Sequence, residues 1–137
     1  MDDKRKISIK QFVKFNYVGL LTIIVGTSVF VLMIALGFGY VISLAGDYMA
    51  GIIFSYFMNK SYTFQAVIDS DLLPLLKTAL MYVVSFFLNV VLLKVSSEVY
   101  GYDLITSQFV IIFVLALFNF LVFKLIIFRV VDERKAL

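Results

Sequence analysis

From Phe15 to Gly46 the chain runs 32 residues without a charge. That is too long for one membrane crossing and about right for most of two, because a hydrocarbon core of roughly 30 Å takes about 20 helical residues. Gly37-Phe38-Gly39 is the natural break, so the pattern predicts span 1 at about 16–36 and span 2 at about 40–59. A third apolar stretch, about 75–96, follows Pro74, the single proline, a residue suited to a helix's first turn. The fourth, about 104–123, is uncharged throughout. Ahead of them residues 4–14 read KRKISIKQFVK. Lys6, Lys10 and Lys14 fall on one helical face, and Ile9, Phe12 and Val13 largely on another, the pattern of a short basic helix lying on a membrane surface. The expected fold class is all-α integral membrane, with a basic amphipathic N-terminus at 1–14, a four-span domain at 15–129 and a charged tail at 130–137. The first apolar run is longer than a signal core and no small-residue cleavage site follows it, so it is expected to be a span rather than a cleaved leader.

The positions of the basic residues set the expected topology. Of 12 Lys and Arg, five precede span 1 (Lys4, Arg5, Lys6, Lys10, Lys14), Lys60 and Lys77 flank the connection between spans 2 and 3, and Lys124, Arg129, Arg134 and Lys135 follow span 4. Lys94 alone is on the opposite side. By the positive-inside rule both termini are expected in the cytoplasm. An offset of 64 residues relates Phe54, Tyr56, Lys60 and Phe64 to Phe118, Phe120, Lys124 and Phe128. Each half thus reads as a helical hairpin ending in Lys-x-x-x-Phe. Two crossings per half keep both in the same orientation, a parallel duplication rather than an inverted one.

Composition turns this pattern into a statement about solvent. Apolar residues are 63% and charged residues 15%, against roughly 45–50% and 25% in soluble chains, and mean hydropathy is +1.05. Too few polar side chains remain to coat a globule, so lipid must supply much of the solvent. Cys and His are both absent, which excludes disulfides, zinc-thiolate sites, Cys nucleophiles and imidazole bases. The carboxylates are scattered and no nucleophile has a nearby base. With no Walker-type glycine loop either, the chain reads as a non-enzyme with no cofactor or metal. Its pI of about 9.1 does not point to nucleic acid, since the basic residues line a membrane interface.

Polar groups are costly in hydrocarbon, so those within or ending the spans are the candidates. Ser55, Asn59 and Thr63 form one i, i+4 stripe at the end of span 2, beside a second stripe of Lys60 and Phe64. Span 4 repeats the layout with Asn119, Lys124 and Phe128. A pseudo-twofold arrangement would bring the two cationic ends together at headgroup depth, where lysines, an amide and a hydroxyl could hold a lipid phosphate. The alternative is snorkelling, in which such lysines anchor the helix ends. Asp47 in span 2 and Lys94 in span 3 are candidates for a polar pair near the outer leaflet. Asn89 and Asn119 also suit interhelical hydrogen bonding.

Three segments, Phe15-Asn16-Tyr17-Val18-Gly19, Phe54-Ser55-Tyr56-Phe57-Met58-Asn59-Lys60-Ser61-Tyr62-Thr63-Phe64 and Phe123-Lys124-Leu125-Ile126-Ile127-Phe128-Arg129, resemble the GtrA-like family of small four-span membrane proteins. That family includes teichoic-acid glycosylation proteins of Gram-positive bacteria and phage-encoded O-antigen glucosylation proteins. The likeness covers nearly the whole chain. It departs in span 1, where Leu21-Thr22 stands for the Asn-Thr of many members. The resemblance implies a flippase of the bacterial cytoplasmic membrane, moving a polyprenyl-phosphate-linked monosaccharide, typically undecaprenyl-phosphate glucose or N-acetylglucosamine, to the outer leaflet for cell-wall polymer or O-antigen glycosylation. It gives functional weight to Ser55, Asn59, Thr63, Phe64 and Lys124, and to Lys60. The implied partners are the lipid-linked sugar and membrane glycosyltransferases; the basic ends suit anionic lipids, and because four short helices would enclose little volume, a homodimer or pairing with the glycosyltransferase would help make a groove. The alternative is a non-transporting subunit that anchors or activates a polyprenyl-phosphate glycosyltransferase. A small multidrug-type exporter would need a carboxylate deep in span 1, which has none.

Overall fold

A computed structural model describes residues 3–128, with side chains from Ser8 onward except that of Tyr40. Arg129, the tail 130–137 and the side chains of Lys4, Arg5 and Lys6, which carry part of the topology argument, lie outside the described residues. Within that range the regular elements are all helical: α1 (Asp3–Ala35), α2 (Tyr40–Met58), α3 (Leu72–Lys94) and α4 (Leu104–Val122). The last three each widen into a five-residue π-turn, at Asn59–Thr63, Val95–Val99 and Phe123–Ile127. Four segments, Ser8–Ala35, Val41–Thr63, Leu72–Val99 and Leu104–Ile127, are long and apolar enough to cross a bilayer. They coincide with the expected spans to within a few residues, except at the start of the first. Pro74 lies in the first turn of α3, where its missing N–H costs nothing.

α1 differs from the expectation of a separate surface helix. It is one helix of 33 residues, roughly 50 Å long at about 1.5 Å per residue, so it exceeds a hydrocarbon core by several turns. Residues 4–14 contain neither Gly nor Pro, so nothing local breaks the helix between the basic segment and the span.

The helices form two compact units, α1 with α2 through Asp71, and α3 with α4. In the first, a helix-ending turn at Gly37 (φ +90°) closes α1. Gly37 N–H donates to Ile34 O and Phe38 N–H to Met33 O, both at 3.0 Å, the crossed pair of a Schellman cap that glycine's left-handed backbone permits. Two glycines then let the antiparallel helices approach: a Cβ at Gly26 would meet the Asp47 carboxylate and one at Gly46 the Met33 sulfur, whereas one at Gly51 would make only an ordinary contact with the Thr22 methyl, at 3.4 Å. In the second unit Asp103 caps α4 by accepting from Thr106 N at 2.9 Å and Thr106 Oγ1 at 3.0 Å. Those bonds, the backbone one foremost, hold its carboxyl below the ordinary range. Ser85, Ser107, Met81, Ile111 and Leu115 are buried there. Leu20, Ile23, Val41, Phe109 and Ile105 are more than half exposed, as side chains facing lipid are.

Candidate functional site

The end of α2 is organised by two adjacent stripes. On the inner one Asn59 Nδ2 donates to Ser55 Oγ at 3.2 Å and Thr63 Oγ1 donates to Asn59 Oδ1 at 2.8 Å. All three side chains are buried, Asn59 to 1% exposure, so the polar stripe is a closed ladder inside the packed unit. Polar side chains at i, i+4 spacing satisfy each other where water cannot reach. The helix widens at this ladder. Phe64 N–H reaches Asn59 O at 2.9 Å, and Ala66 N–H reaches Lys60 O at 2.7 Å. Gln65 between them takes φ +50°, which turns the chain back along the helix end.

That reversal delivers Asp71 to the outer stripe. Lys60 Nζ donates to Asp71 Oδ1 at 2.6 Å, and Tyr56 Oη donates to the same oxygen at 2.7 Å. The Tyr56 residue is fully buried, whereas the Lys60 and Asp71 side chains are 20% and 38% exposed. The Lys60 ammonium, seconded by the Tyr56 hydroxyl, holds the Asp71 carboxyl below the ordinary carboxylate range. A second cation completes this end. Lys14 Nζ donates to Tyr62 O at 3.3 Å and lies 4.5 Å from the centre of the Tyr62 ring, a cation–π contact that ties α1 to the π-turn. Tyr17 packs on the same ring, with centroids 6.5 Å apart.

In the second unit the third π-turn repeats the first at the offset of 64. Phe128 N–H reaches Phe123 O at 2.9 Å, and Lys124 takes the second position of the turn as Lys60 does. The Lys124 ammonium lies 5.8 Å from the Phe120 ring centre, and Phe123 stacks on Phe128 at 5.7 Å. Phe64 and Phe128, the aromatics ending each Lys-x-x-x-Phe, are both buried.

The other sequence candidates fall elsewhere. Asn119 accepts from Ser85 Oγ at 2.5 Å, an interhelical tie within the second unit. Asn89 Oδ1 is buried there with no hydrogen-bond partner among the described residues. Asp47 packs against Gly26 in the first unit, and Lys94 is the exposed last residue of α3 in the second. Two members of the α2-end cluster are not candidate site residues in the sequence pattern. Tyr56 enters that pattern only as the counterpart of Phe120 in the repeat. Asp71 stands 11 residues beyond Lys60, across a connection without periodicity; its one signal is a position immediately before the start of α3.

The fold and its charged helix ends define a multi-pass membrane protein. The family model described as GtrA/DPMS, transmembrane domain, matches residues 14–128, and the chain belongs to that family. Membership places it among membrane proteins connected with polyprenyl-phosphate sugars. Neither a curated protein nor a solved structure gives a significant match.

Proposed function

We propose that this protein carries a polyprenyl-phosphate-linked monosaccharide from the inner to the outer leaflet of a bacterial cytoplasmic membrane, supplying a glycosyltransferase that decorates teichoic acid, another cell-wall polymer or O-antigen. The observation that carries the reading is a repeated device: α2 and α4 both end in a π-turn with a lysine at its second position. π-turns within helices cluster at functional sites because they re-aim side chains and widen the backbone. Here they present Lys60 and Lys124 where a span of about 20 residues ends, the depth of a lipid phosphate. Lysine ammonium groups give a phosphate charge-assisted hydrogen bonds. The repeat at 64 residues is the mark of a duplicated hairpin, with both lysine ends on the cytoplasmic side as the distribution of basic residues implies.

The buried ladder of Ser55, Asn59 and Thr63 then acts by setting the π-turn that aims Lys60. Phe64, which ends the turn, is buried. The prenyl tail stays in lipid, while polar groups of the spans offset the cost of dehydrating the sugar. A homodimer, or a complex with a membrane glycosyltransferase, would supply the remaining wall of a path.

The test is leaflet exchange of a labelled polyprenyl-phosphate sugar in liposomes containing the purified protein and no enzyme. A carrier accelerates exchange, and Lys124→Ala abolishes the acceleration. Absence of exchange, together with stimulation of a co-reconstituted polyprenyl-phosphate glycosyltransferase, would identify an activating subunit instead.

A further inference from the structure

Asp71 places a single carboxylate oxygen between two donors, an ammonium at 2.6 Å and a phenol hydroxyl at 2.7 Å. We propose that Lys60 and Tyr56 are a preformed binding site for one oxygen of a lipid phosphate, and that the Asp71 carboxylate is its internal occupant until phosphate displaces it. The reading of the ligand as a lipid phosphate rests on the proposed function; the site itself rests on the geometry.

A cation and a hydroxyl converging on one anionic oxygen are a donor set that serves carboxylate and phosphate alike. The donors are the rigid half of the arrangement. Tyr56, near the end of α2, is fully buried, and Lys60, four residues on, lies on the π-turn set by the Asn59 ladder. The acceptor is the exposed half: Asp71 lies outside any helix, on the segment between Thr63 and Leu72, with its side chain 38% exposed. Displacing it leaves the donors in place and returns the carboxylate to water, where exposed ion pairs forgo little. Exchanging one anion for another keeps the local charge nearly balanced, so binding stays reversible, as a carrier requires.

The first unit is particular in this. At the offset of 64 the counterpart of Tyr56 is Phe120, which has no hydroxyl, and its ring centre lies 5.8 Å from the Lys124 ammonium. The two lysines are therefore unequal, and Lys60 with Tyr56 is the end that discriminates an oxyanion. An internal occupant also lowers apparent affinity by the fraction of molecules whose site is filled, which discourages abundant anionic lipids from holding the site.

The experiment is calorimetric titration of the detergent-solubilised full chain with farnesyl phosphate and, separately, with inorganic phosphate. Asp71→Asn should bind farnesyl phosphate about three- to tenfold more tightly than the parent, as expected for releasing a mostly filled site. Tyr56→Phe, which keeps the ring, should bind it severalfold more weakly. Inorganic phosphate should bind more weakly than farnesyl phosphate to every variant; equal affinities would make this a site for free phosphate and overturn the lipid assignment. Unchanged or weakened binding in Asp71→Asn would overturn the stand-in role and leave a structural ion pair. A measurement on the unmodified chain guards against misfolded variants. Carbodiimide couples a carboxylate to a touching amine, so a Lys60–Asp71 amide should form and saturating farnesyl phosphate should suppress it; undiminished coupling would also overturn the proposal. Failed leaflet exchange with tightened binding in Asp71→Asn removes the carrier reading and keeps the site. Normal exchange with unchanged binding does the reverse.

Discussion

The Asp47 carboxylate of α2 occupies the space that any side chain at Gly26 of α1 would need. The Asp47 backbone oxygen is also close, 3.2 Å from where a Cβ would stand, so a rotamer change alone does not make room. Gly26→Ala should therefore destabilise the first unit by about 1–3 kcal/mol, the usual cost of overpacking. At Gly46 the obstacle is the flexible end of Met33, and Gly46→Ala should cost less. Unfolding of the two variants in mixed micelles measures the difference; equal costs would mean that the helices slide apart freely.

Ser85 and Asn119 join α3 to α4 by a side-chain hydrogen bond. Such bonds between packed spans contribute about 0.6 kcal/mol on average and at most about 1.7. A double-mutant cycle with Ser85→Ala and Asn119→Ala should return a coupling in that range. A coupling of zero would show that each side chain finds an equivalent partner once the other is removed.

The Lys60–Asp71 pair carries a pH signature of known sign. Because the folded-state carboxyl is depressed, its contribution is complete above the ordinary carboxylate value of about 3.9 and is lost as pH falls through the lower, folded-state value. The melting midpoint of the parent chain relative to Asp71→Asn should hold steady from pH 7 to about 5 and the gap should close only below about pH 4. A gap that closed near neutrality would mean that the pair does not persist in the folded protein.

Gln65 and Gly101 hold the same place after two π-turns. Ala66 N–H bonds Lys60 O across Gln65, and Tyr102 N–H bonds Ser96 O across Gly101, with φ of +50° and +67°. Only the second position carries the residue that adopts this backbone without strain. Gln65→Gly should be neutral to stabilising by up to about 1 kcal/mol, whereas Gly101→Val should cost about 1–2 kcal/mol. Thermal unfolding in detergent tests both; destabilisation by Gln65→Gly would place the Gln65 side chain in a contact that outweighs its backbone strain.

Much of the α2 end is legible in the sequence. The i, i+4 spacing of Ser55, Asn59 and Thr63 is a helical stripe, and the structure makes it a hydrogen-bonded one. Lys60 and Lys124 were visible as matched ends. The pattern did not foretell the π-turns, because a five-residue spacing between Asn59 O and Phe64 N leaves no mark on a 3.6-residue apolar period. It also drew a boundary near Lys14 that α1 does not have, since charge marks where lipid ends and not where a helix ends.

What the sequence determined alone is the number of spans, their lengths and the class of solvent around them. Bilayer thickness and helical rise translate directly into counts of consecutive apolar residues, a one-dimensional property. The tertiary structure alone decided which polar groups meet. Asp71 reaches Lys60 and Tyr56 because Gln65 reverses the chain, and Asp47 fits α1 because Gly26 leaves a gap in the register of two packed helices. Such meetings depend on chain reversal and on the axial offset between neighbours, and neither is encoded in the polarity of any single segment.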